Sequence, residues 1–380
     1  MDRRIKLVTY YGDRDKNCLR SNSPAADNKT DYVIDALNRC GYSVELISHS
    51  PISIPGFYYR GKVEKRGQNT IRYFGSFGLS KSKILNVLNW VYRDIVFFVW
   101  CFLHIKRCEQ IIVYHSLGYD STFIWLHRIK NLRIVGEIEE IYQDVHKQSA
   151  RRSKNEYRFI DCCEKYIFPT SSLDNKLIGD KKPAVIIHGI YSVEPRRDIE
   201  PFNDGKIHVV YAGTLDPQKG GAAAAAAAAY LPDNYHLHIL GFGDKKQVDT
   251  ISQVIKEVND SSRAEVSYDG YLQGKDFIRF LQKCQIGLST QDPTALFNAT
   301  SFPSKILTYL SNGLRVVSVR IPAIEKSAVG HAIFYYEEQV PAKIASAIVQ
   351  CGESKDAVDS TALLNELDRT FVKELGDLLS

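Results

Sequence analysis

"YAGTLDPQKGGAAAAAAAAYLPDNYHLHILGFGD", residues Tyr211–Asp244, decides the fold reading. The apolar run Ile207 to Ala212 enters it as a β-like segment, and Lys219, Gly220 and Gly221 then stand at the mouth of eight alanines, Ala222 to Ala229. Alanine has the highest intrinsic helix propensity, so the order is strand, glycine-bearing turn, helix. A second strand, Tyr235 to Leu240, follows, and it too ends on glycines, Gly241 and Gly243.

Working outward, the alternation continues through helix Lys246–Asn259, strand Ala264–Tyr268, helix Gly274–Lys283, strand Ile286–Ser289, helix Ser304–Asn312 and strand Arg315–Val319. The first half alternates in the same way: strand Ile5–Tyr10, helix Ala26–Cys40, strand Ser43–Ser48, helix Ser82–His104, strand Gln110–His115, helix Thr122–Ile129 and strand Arg133–Glu137. Such alternation predicts βαβ units on parallel sheets. A length of 380 residues fits two domains at roughly 150 residues each. The Pro- and Gly-bearing stretch His188–Lys206 reads as the linker between them. The basic stretch from Tyr59 to Lys83, with RGKVEKRG and FGSFGLSKSK, reads as a long loop.

Composition narrows the function class. The chain is 44% hydrophobic and 24% charged, with net charge +5, which is ordinary for a globular protein and mild for a nucleic-acid binder. That excess suits an anionic ligand or an anionic membrane surface. The eight cysteines show no CxxC pair and no ligand spacing with histidine, so neither a zinc site nor a disulfide framework is expected, and a reducing cytoplasm is the simplest compartment. The apolar run Ile95–Leu103 is shorter than the roughly 20 residues a bilayer crossing needs, and is expected to be a buried helix leading into the next strand, the alternative being a membrane-surface anchor. Met1 to Tyr10 is too short and too strand-like for a signal peptide.

Three stretches carry candidate chemistry. At the opening turn, Gly213, Thr214, Lys219 and Gly220 combine unpaired helix amides with a full positive charge, a cradle for phosphate; the plainer reading is a chain turn with a solvated lysine. "TSFPSKILTYLSNGLRVVSV", Thr300–Val319, gives a second: Pro303 opens a helix with Ser304 and Lys305 in its first turn, and Gly313 closes it. Lys219 and Lys305 are thus expected to meet one diphosphate from two sides. "HILGFGD" fails the dinucleotide pattern, because Lys246 stands where the third glycine belongs; Gly241 and Gly243 instead let a nucleoside or sugar approach the backbone. In the first half, His115 ends a strand and is expected to face a cleft between domains. Glu137 and Glu139, two apart, share one face of an extended chain just beyond the next strand. One of them is expected to orient an acceptor hydroxyl, the alternative being ion pairs among these acids with Lys147, Arg151 and Arg152.

These residues resemble the GT-B glycosyltransferases, and within them the retaining family four of bacterial polysaccharide assembly. "YAGTLDPQKG" is similar to that family's strand, turn and lysine-glycine pair, "FPSKILTYLSNGLRVVS" to its donor helix, and "VRIPAIEKSAVG" to the loop that follows. "VYHSLG" and "VGEIEEIYQDV" resemble its acceptor-domain elements. The resemblance implies an α/β architecture of two Rossmann-like parallel-sheet domains facing across a cleft. Residues 1–195 would bind the acceptor and residues 196–361 the nucleotide sugar, with the terminal helix, about 362–380, packing back on the first domain.

It also implies roles residue by residue. Lys219 and Gly213 would face the donor diphosphate, with Thr214, Gly220, Gly241, Gly243, Tyr271, Thr300, Ser304, Lys305 and Thr308 on the donor side and the loop Gly270–Leu272 edging the base. His115 would sit near the transferred sugar and, with Lys219 and Glu139, act in catalysis, while Gly12, Glu137 and Glu139 would bind the acceptor. The family often has arginine where this chain has Thr214, and two glutamates where it has Thr300 and Thr308; Lys305 is expected to supply the missing charge.

The implied activity is hexosyl transfer from a nucleoside diphosphate sugar to a glycan or lipid-linked acceptor, with retention and neither metal nor cofactor, in surface polysaccharide biosynthesis. The protein would be cytoplasmic or peripheral on the inner membrane face, with no nucleic-acid partner. Two alternatives stay open, a non-catalytic nucleotide-sugar binder on the same fold and a nucleotide-sugar epimerase. A nicotinamide dehydrogenase is disfavoured, since neither glycine turn completes the dinucleotide pattern.

Overall fold

The computed structural model describes residues 3–13, 19–21, 23–145, 149–295, 298, 300–356 and 358–380. The chain divides into two compact units, one of Met1–Pro169, Leu173–Ile187 and Thr370–Ser380, the other of Thr170–Ser172 and His188–Arg369.

In the first unit the strands are β1 (Arg3–Thr9), β2 (Tyr42–Ser48), β3 (Tyr58–Tyr59), β4 (Lys62–Arg66), β5 (Asn69–Tyr73), β6 (Ser76–Phe77), β7 (Gln110–Tyr114), β8 (Arg133–Glu137), β9 (Cys163–Phe168) and β10 (Ala184–Ile186). The helices are α1 (Pro24–Arg39), α2 (Lys83–His104), α3 (Asp120–Lys130), α4 (Tyr142–Val145), α5 (Ala150–Cys162) and α6 (Ser171–Leu177), the last beginning in residues assigned to the other unit. Among the described residues an eight-stranded sheet runs β10-β9-β8-β7-β1-β2-β5-β4, parallel except where β4 turns back on β5. Strand order reverses at β1, which pairs with both β2 and β7, so loops from both directions open beside its carboxyl end. Val8, Ile111, Val113, Phe97, Phe123 and Phe159 are buried in its core.

The stretch expected as a long loop, Tyr59–Lys83, is instead largely strand. Lys62–Arg66 and Asn69–Tyr73 pair antiparallel around Gly67, which has φ +58°. Charge obscured the signal: Lys62, Glu64 and Arg66 alternate with Val63 and Lys65, a period-2 pattern on an edge strand that solvent tolerates.

The helix expected over Ser82–His104 is present as Lys83–His104, but the burial expected of its apolar run Ile95–Leu103 needs correction, because it is only partly buried. Phe97 and Cys101 lie in the core and Arg93 is covered, while Ile84, Leu88, Trp90, Ile95, Val99 and Leu103 are exposed. By length and composition α2 would cross a membrane, yet His49 Nε2 lies 2.9 Å from its Asp94 Oδ1 and its inner face is packed on the sheet. The C-terminal residues Thr370–Ser380 belong to this unit as well: Phe371 stacks on Tyr32 at 5.9 Å and the Tyr42 hydroxyl donates to the Leu379 carbonyl at 3.3 Å.

The second unit contains β11 (Ile207–Thr214), α7 (Gly221–Ala227), β12 (Tyr235–Phe242), α8 (Lys245–Ser261), β13 (Glu265–Gly270), α9 (Gly274–Leu281) and β14 (Ile286–Ser289). It continues with α10 (Lys305–Ser311), β15 (Arg315–Val319), α11 (Pro322–Glu325), β16 (Ile333–Tyr336), α12 (Pro341–Glu353) and the first half of α13 (Ser360–Leu379). Its six strands are all parallel, in the order β13-β12-β11-β14-β15-β16, with the reversal between β11 and β14. The alanine run is α7 and a short 3-10 turn, and Ala224, Ala225, Ala227 and Ala228 are fully buried, so small side chains let the helix seat against α8 and α12.

Candidate active site

The loop after β11 is pinned at the reversal point of the second sheet. Asp216 Oδ1 accepts from the Gln218 amide at 2.8 Å and the Tyr211 hydroxyl donates to the carbonyls of Thr214 and Lys219 at 2.8 and 3.1 Å. Gly220 has φ +81°, and a Cβ there would stand 1.5 Å from the Thr290 carbonyl oxygen, so glycine is required twice over. Thr290 Oγ1 donates to the Gly220 carbonyl at 2.8 Å and the Asp292 amide to that of Gln218 at 2.9 Å. The loop carrying Lys219 is therefore fixed to the residues just beyond β14.

Lys305, at the start of α10, reaches this loop. Its Nζ lies 4.2 Å from the centroid of the Tyr211 ring and 3.3 Å from where a Cβ on Gly213 would be. Part of the residue is exposed, but Nζ is sealed from solvent and has no hydrogen-bond partner among the described residues. Burial, and then the charge of Lys219, push its pKa down to about 7. A buried amine with one ring face and, among the described residues, no hydrogen-bond partner is an incomplete arrangement, which an anion beside it would complete by favouring its charged form.

The other donor-side candidates sit in the same unit with differing exposure. Ser304 is exposed, Thr308 Oγ1 donates to the Ser304 carbonyl at 3.3 Å, and Thr300 is buried with its carbonyl accepting from Thr170 Oγ1 at 2.7 Å. Strand packing accounts for Gly241, since a Cβ there would lie 1.9 Å from the Gly213 carbonyl. Beside Gly243, Asp244 and Gln247 form a reciprocal cap on α8. Phe242 and Tyr271 are both exposed and meet edge to face, ring centroids 4.8 Å apart, at the carboxyl ends of β12 and β13.

In the first unit, Gly12 and His115 flank the reversal point at β1. The Gly12 amide donates to the Asp27 carboxylate at 3.2 Å, and its carbonyl accepts from the Tyr73 hydroxyl at 3.0 Å. His115 is 2% exposed, stacked against Phe159 and tilted on Tyr142, with Asp120 and Glu156 oxygens each 3.7 Å from its Nε2. Burial pushes the carboxyls of Asp120 and Glu156 above their ordinary range. Glu137 and Glu139 do share a face, and it is Lys29 of α1 that meets both, at 3.9 Å from Glu137 and in a short contact with Glu139. Lys147, one of the expected partners, lies outside the described residues. Burial raises Glu137 to about 7 against the pull of Lys29.

Residues 206–354, most of the second unit, match the family model described as Glycosyl transferases group 1. The second unit carries that domain, and the chain has the GT-B fold. No curated protein matches it. Among solved structures, the chain is similar to the trehalose-6-phosphate protein from E. coli bound with UDP-2-fluoro glucose, at 11% identity and TM-score 0.67, over 99% of this chain and 98% of that one. It is similar also to Anabaena HepE in complex with UDP, at 13% identity and TM-score 0.65, over 99% of each. A third is the UDP-forming trehalose-phosphate synthase of Burkholderia xenovorans with glucose-6-phosphate, at 10% identity and TM-score 0.66, over 100% of each. At these identities the likeness is one of fold.

Two features of the site carry little or no signal in the sequence. Lys29 sits in a helix with no motif around it, and only the sheet brings it to Glu137 and Glu139. Phe242 was legible in principle, as an aromatic set between two glycines at a strand end, where packing does not call for one.

Proposed function

We propose that the chain is a glycosyltransferase that moves a hexosyl group from a nucleoside diphosphate sugar to a glycan or lipid-linked acceptor, with retention, in surface polysaccharide assembly. The observation that supports this most is Lys305, a buried amine with no hydrogen-bond partner among the described residues, beside Gly213 and under the field of Lys219. Breaking the bond from sugar to diphosphate develops negative charge on the leaving group. Two fixed lysines and the amides of the Gly213–Gly220 loop meet that charge without reorganisation, and so need no metal ion to do it. In the front-face route that the family resemblance implies, the leaving phosphate takes the acceptor proton, so no protein nucleophile is required. His115, enclosed by Phe159 and Tyr142, then positions rather than attacks. Glu139, held by Lys29 and partly exposed, is the acceptor-side carboxylate that orients the hydroxyl.

Two structural neighbours hold uridine nucleotides, so uridine diphosphate sugars are the first donors to test. A thermal-stability screen with uridine, guanosine, thymidine and cytidine diphosphate sugars identifies the donor, because a ligand that binds only the native state raises its stability. Transfer or slow donor hydrolysis by the selected ligand supports the assignment. Binding without turnover would favour a non-catalytic binder, and conversion of the donor sugar without an acceptor an epimerase.

A second observation favours a peripheral place on an anionic membrane surface. Ile84, Leu88, Trp90 and Ile95 of α2 are exposed, as are Phe57, Phe77 and Leu79, and Lys81 and Lys83 stand at the start of that helix. Exposed aliphatic and aromatic groups beside cations suit the headgroup boundary. The seven described cysteines are free thiols, consistent with the reducing inner side. Flotation with vesicles containing anionic lipid should carry the chain upward, and Leu88→Glu with Ile95→Glu should abolish it; no flotation in the native protein would remove this reading.

A further inference from the structure

We propose that the second unit holds a divalent transition-metal ion of the zinc class on three histidines, His208, His236 and His238, away from the loops that carry Lys219 and Lys305. The placement follows from strand register. His236 and His238 are two apart on β12 and so share a face, and His208 of β11 pairs with His236 across the parallel ladder. One ring nitrogen from each lies within 4.8 Å of the others. His208 Nδ1 and His238 Nε2 face one another at 2.9 Å, and the His236 and His238 rings lie 4.0 Å apart between centroids. A tetrahedral ion with bonds of about 2.1 Å sets its nitrogens about 3.4 Å apart, so the pair need open by only about half an ångström.

Two of the three rings have a carboxylate behind them, as metal-ligating imidazoles usually do. His208 Nε2 lies 2.9 Å from Asp204 Oδ1, and His238 Nδ1 lies 3.1 Å from Asp269 Oδ2. A carboxylate behind the ring fixes its tautomer, turns the other nitrogen inward as a lone pair and strengthens it as a donor. Both inward nitrogens are the two that face each other. His236 adds a third imidazole, its Nε2 3.0 Å from Ser267 Oγ, and Ser267 donates to Asp269 at 2.8 Å.

The surroundings are dry on one side and open on the other. Phe202 stacks on His208 at 4.0 Å and Phe280 of α9 meets His238 edge-on at 5.1 Å, while His236 keeps part of its side chain in solvent, which gives an ion its way in. Three imidazoles without thiolates suit zinc, cobalt, nickel or copper over magnesium or calcium. His208 precedes Gly213 by five strand residues, roughly 16 Å at about 3.3 Å each, so the ion takes no part in sugar transfer. Its effect is to fasten the segment Phe202–Asp204 to the β11–β12 sheet. The sequence hid the site because its ligands come from two strands, with 27 residues between the first histidine and the second.

The test uses the full chain without an affinity tag, dialysed against chelator, with Co²⁺ as the probe. One equivalent of Co²⁺ should bind and give the intense visible bands of a tetrahedral site. Zn²⁺ should displace it and raise the melting temperature. His236→Gln, at the partly exposed ring, should lose the bands and weaken Co²⁺ binding by more than a hundredfold with an unchanged circular dichroism spectrum. Asp269→Asn should weaken it by about 10- to 100-fold. Less than one equivalent bound by the native chain, or the same affinity and spectrum in both variants, overturns the proposal.

Discussion

The Nζ of Lys305 lies 4.2 Å from the centroid of the Tyr211 ring, out of solvent, with no hydrogen-bond partner among the described residues. Its pKa near 7 in the folded chain lies below the ordinary lysine value, so the unfolded chain holds the proton more tightly between those two pH values. Stability should fall as pH drops from about 10 to about 7 and gain no further penalty from this residue below that. Lys305→Met removes the dependence. Its melting temperature should exceed that of the native chain by a margin that widens over this window and is constant below pH 7, as thermal melts across pH would measure.

Binding of a diphosphate should reverse the shift. At pH 8 Lys305 is largely neutral in the free protein, and an anion beside it favours the ammonium, so UDP binding should take up a proton. Affinity should then fall by up to about tenfold per pH unit above 7. Calorimetry in buffers of different ionisation enthalpy reads the uptake directly, and Lys305→Met should abolish it.

Phe242 and Tyr271 form an exposed edge-to-face pair where the base of a donor would be met. Stacking on an aromatic face contributes about 1–3 kcal/mol per base. Tyr271→Ala should therefore weaken UDP about tenfold while leaving inorganic pyrophosphate unaffected, as parallel titrations would show. Equal losses for both ligands would place Tyr271 at the phosphates instead.

Glu137 offers a pH test in the first unit. Its pKa of about 7 is raised above the ordinary carboxylate value, chiefly by burial, so the folded chain binds the proton more tightly than the unfolded one. The stability this confers is present below about pH 4.5 and is lost as pH rises to about 7. Glu137→Gln mimics the protonated form. The difference in melting temperature between this variant and the native chain should grow in the variant's favour from pH 4.5 to 7 and level off above.

Much of the parallel α/β framework was legible because strand and helix periods differ and glycines mark the turns, and β8, β14 and β15 fall at the expected residues. The convergence of Lys305 on the Gly213 turn was also readable, since two strand-turn-helix units with a cation at the helix start belong to one sheet. What stayed hidden depends on register and on neighbours distant in sequence. Lys62–Arg66 looked like a charged loop because an edge strand can carry lysine on both faces. The enclosure of His115 is set by Phe159 and Glu156 of α5, a helix whose charged sequence gave no warning of what it covers. The exposure of α2 was not legible in its composition, because a core helix and a surface helix can be equally apolar, though helical periodicity places the apolar residues before Arg93 along one exposed side.

The account rests on Lys219 and Lys305 holding one pyrophosphate, and titration of UDP and inorganic pyrophosphate into the native chain, Lys219→Ala and Lys305→Met tests it most directly. A charge-assisted hydrogen bond contributes about 1.5–3 kcal/mol, so each substitution should weaken both ligands by about 10- to 100-fold. Native-like affinity for UDP and pyrophosphate in either variant would contradict it.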